Sequence, residues 1–221
     1  MKTPLILMLL VGLVLGAIFM FAPEPNPELT RNRTDLPWQL TPLPDGGARV
    51  FDLDLGSATL QDAIAKFGQP EGAAVFQRPE GTFDLEVYFG KVAFGPLSAR
   101  VVTRLVADPQ QKKTLAEQAA KRESSPTGDW KFALRTSEIA DLQDKPLDAI
   151  SYVPGTRRLD QTFFLERFGT PGAQLSENEN ARSWFYPEKG LSILIDEKGP
   201  EVLEYVPPRD FRLPPEAQPY P

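Results

Sequence analysis

Apolar and polar positions alternate along this chain in several distinct rhythms, and the first is no alternation at all. From Leu5 to Ala22 every residue is apolar or glycine, with Pro4 and Pro23 at the two ends. As a helix such a run spans roughly 27 Å, close to the hydrocarbon thickness of a bilayer. Signal-peptide cleavage sites are poor here, since Leu15 precedes Ala17 by two and Met20 precedes Ala22 by two. An uncleaved single-pass anchor over residues 1–22 is therefore expected. Lys2 lies before the run and Glu24 and Glu28 after it, so the positive-inside tendency places the rest of the chain outside the cytoplasm.

Residues 23–47 are rich in proline, which favours extended backbone and withholds ladder donors. This stretch reads as a semi-rigid linker, with Trp38 and Leu40 free to dock on the folded part or lie at the lipid surface. A first α+β module is expected over 48–107. Phe51, Leu53 and Leu55 alternate with Asp52 and Asp54 as a half-buried strand. Ser57 is a plausible helix cap, and Leu60, Ala63, Ile64 and Phe67 share one helical face. Strand-like runs follow over 74–77, 83–89 and 99–106. Residues 108–148 form a connecting segment: Asp108-Pro109 starts a helix, Trp130, Phe132 and Leu134 alternate as a strand, and Thr136 could cap a short helix. A second module is expected over 149–206, with helix residues Leu159 to Phe168 and strands over 173–176, 181–186, 191–196 and 201–206. Residues 207–221 form a proline-rich tail expected to be weakly ordered.

The two modules share a motif. Leu55-Gly56-Ser57 precedes a helix ending in Phe67-Gly68-Gln69-Pro70, and Pro154-Gly155-Thr156 precedes one ending in Phe168-Gly169-Thr170-Pro171. Glycine permits a left-handed helix end and proline forbids continuation, so the motif has a purely structural explanation. Its recurrence in the same order of elements, about 100 residues apart, implies an internal repeat.

The second copy resembles the SmpA/OmlA (BamE-like) family of small envelope proteins, through Gly155-Thr156, Phe168-Gly169-Thr170-Pro171, Trp184-Phe185-Tyr186, the apolar strand Leu191 to Ile195, Gly199, and Val202 to Tyr205. A tandem pair of such modules is similar to the β-lactamase-inhibitor-protein architecture. The first copy fits less well, since Phe83-Asp84-Leu85 replaces the aromatic strand. The resemblance implies a protein-binding scaffold of the envelope. The lipobox of the lipoprotein members is absent, which weighs against outer-membrane placement.

Composition narrows the chemistry. The chain has Cys 0 and His 0, which excludes disulfides, thiolate nucleophiles, Cys/His zinc sites and a Ser-His-Asp triad. The net charge of -6, with no basic cluster, argues against nucleic acid. No phosphate-binding loop, Gly-x-Ser-x-Gly or Ser-x-x-Lys occurs. Asp52 and Asp54 could pair as carboxylates, but a solvated strand face explains them, and Glu177 to Asn180 reads as a hairpin loop. Trp184 and Tyr186 share one strand face, read either as core or as an aromatic interaction patch. Arg157 and Arg158 open the second helix against its dipole, a conflict that could mark a binding edge.

The expected fold class is therefore α+β: an N-terminal transmembrane helix and two tandem modules, each a short helix packed on a small antiparallel sheet. The expected function is a non-catalytic, extracytoplasmic protein-interaction module on the inner (plasma) membrane, folded part in the periplasm. It needs no cofactor or metal, and its interaction surface would include Trp184, Tyr186, Arg157 and Arg158. Binding of a small apolar ligand or lipid in a groove between the modules is the alternative.

Overall fold

The computed structural model describes residues 33–95, 97–124, 129–155 and 159–221, and residues 34–221 make one compact unit. In chain order the elements begin with three short strands, β1 (Thr41–Pro42), β2 (Ala48–Val50) and β3 (Leu53–Leu55), then helix α1 (Leu60–Phe67). Next come β4 (Gly72–Gln77), β5 (Phe83–Phe94) and β6 (Leu97–Leu105). An excursion follows: α2 (Pro109–Gln118), β7 (Lys121–Ser124), β8 (Trp130–Ala133) and α3 (Thr136–Ala140). Then come β9 (Leu147–Pro154), α4 (Gln161–Phe168), β10 (Ala173–Ser176), β11 (Ala181–Tyr186), β12 (Leu191–Asp196), β13 (Val202–Tyr205) and β14 (Gln218–Pro219).

The expected α+β fold, with a short helix on each of two small sheets, is not what forms: the described chain is mostly antiparallel sheet, with only short helices. β4 to β14 join in a single antiparallel sheet of 11 strands, in the order β14-β10-β11-β12-β13-β9-β6-β5-β4-β8-β7. Two equivalent runs meet at its centre. α1 is followed by the meander β4-β5-β6, completed by β9. α4 is followed by β10-β11-β12, completed by β13. The two fourth strands pair with each other, Ile150 opposite Tyr205 and Tyr152 opposite Leu203. The union has a simple cause. Each meander would otherwise expose a row of unpaired backbone groups at its last strand, and pairing β9 with β13 satisfies both rows.

Two of the helix ends share one geometry. α1 and α4 each have 8 residues and end on a buried phenylalanine, Phe67 or Phe168. Gly68 (φ 94°, ψ -172°) and Gly169 (φ 80°, ψ -166°) then adopt a conformation that side chains avoid. Their N–H groups donate to the carbonyls of Ile64 and Leu165, 2.9 Å in both. The first cap is Thr59 rather than Ser57: Ser57 and Ala58 are spent in a turn onto the Asp54 carbonyl. The Asp62 carboxylate accepts from the Thr59 N–H at 2.8 Å, completing a capping box. Asp160 caps the second helix, accepting from the Phe163 N–H at 2.8 Å.

Residues 48–55 are a hairpin, not the single strand their alternation suggests. Phe51 and Asp52 turn the chain with φ 55° and 61°. A left-handed phenylalanine costs about 1–2 kcal/mol. The burial of its ring repays that: Phe51 is fully enclosed, with its centroid 5.2–5.9 Å from those of Phe67, Phe94, Tyr152 and Tyr205. Truncating such a ring costs about 3–5 kcal/mol, so tertiary packing overrides the local preference. Phe94 and Tyr152 come from the first half and Tyr205 from the second, so this hairpin tip fills the seam between halves on the helix side.

Two stretches assigned outside the modules lie on the folded unit. Residues 34–47, assigned to the linker, lie on the folded unit: Leu36 is buried, Trp38 packs edge-on against Phe163 at 5.5 Å, and the Tyr205 hydroxyl donates to the Pro37 carbonyl at 2.8 Å. The tail 207–221 crosses to β11 and then adds β14 to the free edge of β10. Among the described residues no helix is long and apolar enough to cross a membrane. The apolar run 5–22, where the transmembrane helix was expected, lies outside the described residues.

Candidate functional site

The sheet has two unlike faces. The helix side carries the main core, with Leu85, Val87, Val101, Ile150 and Ile193 beneath the helices. α2 belongs to this side too, since Ala116 packs into the same core. Phe76, Val102, Val153, Leu194 and Val202 alternate to the opposite face and are only half-buried.

One row of that opposite face sets positions of the two halves side by side across the sheet. Reading across the strands from β4, it runs Gly72, Tyr88, Val102, Ser151, Glu204, Ser192, Phe185 and Ala173. The seam lies between Ser151 and Glu204. Gly72 therefore corresponds to Ala173, and Tyr88 to Phe185. Their surroundings differ. Phe185 is 5% exposed because Phe211 of the tail covers it, ring centroids 6.5 Å apart. Tyr88 is 37% exposed.

Beside Tyr88 lies a cleft of about 480 Å³. Gly72, Ala74 and Ala133 give it a small-residue floor, and Phe76, Tyr88 and Val102 give it apolar and aromatic walls. Glu71, Glu86 and Lys131 supply its charges. The Glu71 carboxylate lies against Gly90, where a Cβ would collide with it, at the β-bulge that breaks the β5–β6 register.

Ion pairs border the cleft. Arg78 reaches across three carboxylates: Asp84 at 2.8 Å, Asp129 at 3.0 Å and Glu86 at 3.2 Å. Arg104 lies between Asp148 at 2.8 Å and Glu204 at 3.4 Å, tying the two halves together across the seam. Burial pushes the Glu86 carboxyl above the usual glutamate range, and the nearby Arg78 charge offsets only part of this. This face thus holds flat guanidinium groups between carboxylates, and it retains an excess of acid around Arg78.

The residues singled out from sequence fall elsewhere. Trp184 and Tyr186 are 1% and 4% exposed and face the helices, so they offer no surface to a partner. Tyr186 packs on Phe168 and donates its hydroxyl to the Gly169 carbonyl at 3.1 Å; Trp184 meets Tyr220 edge-to-face at 5.4 Å. The β11 strand is apolar on both faces because both are covered, one by α4 and one by the tail. Arg157 and Arg158 lie outside the described residues. Asp52 and Asp54 do not act as a pair. Asp54 holds Arg49 at 2.7 Å and Asp52 holds Lys66 at 2.7 Å. They line a shallow depression of about 600 Å³ with Asp62 and Lys66, and no group there or elsewhere among the described residues is arranged to hold a metal.

Tyr88, Val102, Glu71 and Lys131 were not singled out from sequence. One signal was available: in the run Phe83 to Phe89, Tyr88 is an aromatic in the outward register otherwise held by Asp84 and Glu86. The groove imagined between the modules is closed on the helix side by Phe51 and its neighbours. On the other side Ser151 and Glu204 meet across the seam. The phenol of Tyr152 is raised to about 12 by burial and stays protonated, so it supplies no acid–base group near neutral pH.

No family model, curated protein or solved structure matches this chain.

Proposed function

We propose that the protein is a non-catalytic interaction module of the cell envelope, held at the inner membrane by its apolar N-terminal run with the folded unit in the periplasm. It would bind another protein through the helix-free face of its first half. One observation carries this reading: an aromatic and several half-buried aliphatic side chains lie on a sheet face that the described helices leave bare. Apolar surface rimmed by charge is the usual composition of a protein-binding patch. The resemblance of the second copy to SmpA/OmlA-like modules supports the same class of function.

A photo-crosslinking residue placed singly at Tyr88, Val102 or Val153 of the full chain, in intact membranes, tests it. Discrete adducts from these positions, absent from a control position at Gln110 on α2, are expected. Identical adduct patterns from face and control would overturn the proposal. A reporter enzyme active only outside the cytoplasm, fused after Pro221, checks the orientation.

A further inference from the structure

The chain contains its own example of what this sheet face binds. In the second half, a tail segment bracketed by Pro207-Pro208 and Pro214-Pro215 lies against Phe185 through Phe211. Phe211, with φ -61° and ψ 132°, directly follows a 3-10 turn over Pro208–Asp210 that presents its ring to the sheet. Arg209 and Arg212 flank the ring in sequence. In the first half, the equivalent Tyr88 stands beside a cleft with Glu71 and Glu86 at its rim. Glu71 has no ion-pair partner among the described residues, and Glu86 shares Arg78 with two other carboxylates.

We propose that the cleft over Gly72 and Ala74 seats a proline-flanked segment of a partner protein. Its aromatic side chain lies against Tyr88, and an adjacent arginine faces Glu71 and Glu86. The proposal rests on the interaction reading above and specifies the partner's chemistry. The small floor residues leave room for a ring, and Glu71 and Glu86, which outnumber Lys131 at the cleft, complement the arginine. A partner fits better than a second copy's tail. The chain's own tail is already committed, with Gln218–Pro219 paired on β10 and Tyr220 packed on Trp184. In the chain's other proline-rich stretch, 23–47, the one aromatic, Trp38, already packs on Phe163.

The test uses the full chain in detergent micelles and a synthetic peptide, Pro-Pro-Arg-Asp-Phe-Arg-Leu-Pro-Pro, as surrogate. Titration followed by NMR is expected to move the amide resonances of Gly72, Ala74 and Ala133 saturably. Replacing the peptide's phenylalanine by alanine should weaken binding about tenfold or more, the range expected for losing one anchoring ring. Tyr88→Ala and Glu71→Gln in the protein should each weaken it several-fold with other resonances unmoved. Absence of saturable shifts, indifference to the peptide's ring, or shifts centred on Phe185 and Ala173 would overturn the assignment. So would self-association of the chain that Phe211→Ala abolishes, since that gives the cleft to a second copy. Adducts from the crosslinking experiment alongside a failed titration would keep the interaction reading and remove only this occupant.

Discussion

Tyr88 and Phe185 hold corresponding positions on either side of the centre of the sheet, yet one is open to solvent and the other is sealed. The helix, its glycine stop and the four-strand meander recur in both halves. What differs is what each half does with its outer face. The second half spends the chain's tail on it; the first half diverts chain into α2, β7, β8 and α3, which lengthen the sheet and cover the helix side instead. One half thus commits its outer face to its own tail, and the other leaves the matching position open.

The largest expected effect probes what the halves share. Phe51→Ala removes the ring at the seam and should cost about 3–5 kcal/mol. Denaturation followed by probes in each half should show both lost in one shifted transition; two separated transitions would mean that the halves fold independently. The helix stops come next. Gly68→Ala and Gly169→Ala each force a side chain into a conformation that costs about 1–3 kcal/mol, and neither new Cβ would meet an atom within 4 Å. The two variants should lose similar stability in urea titrations. Unequal losses would break the equivalence of the copies.

Phe211→Ala makes the second half resemble the first. A loss of about 1–2 kcal/mol is expected for a half-buried ring, with faster hydrogen exchange at the β10–β14 pairing. The mildest change concerns acid. The Glu86 carboxyl is raised in the folded state, so folding takes up a proton there between the unfolded value and the raised one. Stability from this group therefore falls as pH rises through that window. Glu86→Gln should flatten this part of the stability–pH curve.

Much of the local structure was legible because its causes are local. Phe-Gly-x-Pro stops a helix wherever it occurs, and Asp108-Pro109 starts one: α2 begins at Pro109, with the Asp108 carboxylate accepting from the Gln110 N–H at 2.8 Å. The joined sheet was not legible. Nothing in the alternation of Ile150 and Tyr152, or of Leu203 and Tyr205, says that these strands are each other's neighbours rather than edges. The hairpin at Phe51 was hidden for a related reason: its alternation matches a strand, and only four distant rings make the left-handed turn affordable. Proline content made the tail look loose, although Phe211 and Tyr220 were the two places where it could anchor. Trp184 and Tyr186 marked a face that must be covered, but not what covers it.

Hydroxyl-radical footprinting of the purified full chain, read by mass spectrometry, bears most directly on the difference between the halves. Ready oxidation of Tyr88 with protection of Phe185, the protection lost in Phe211→Ala, is the expected result. Equal modification of the two rings in the unaltered protein would contradict the account.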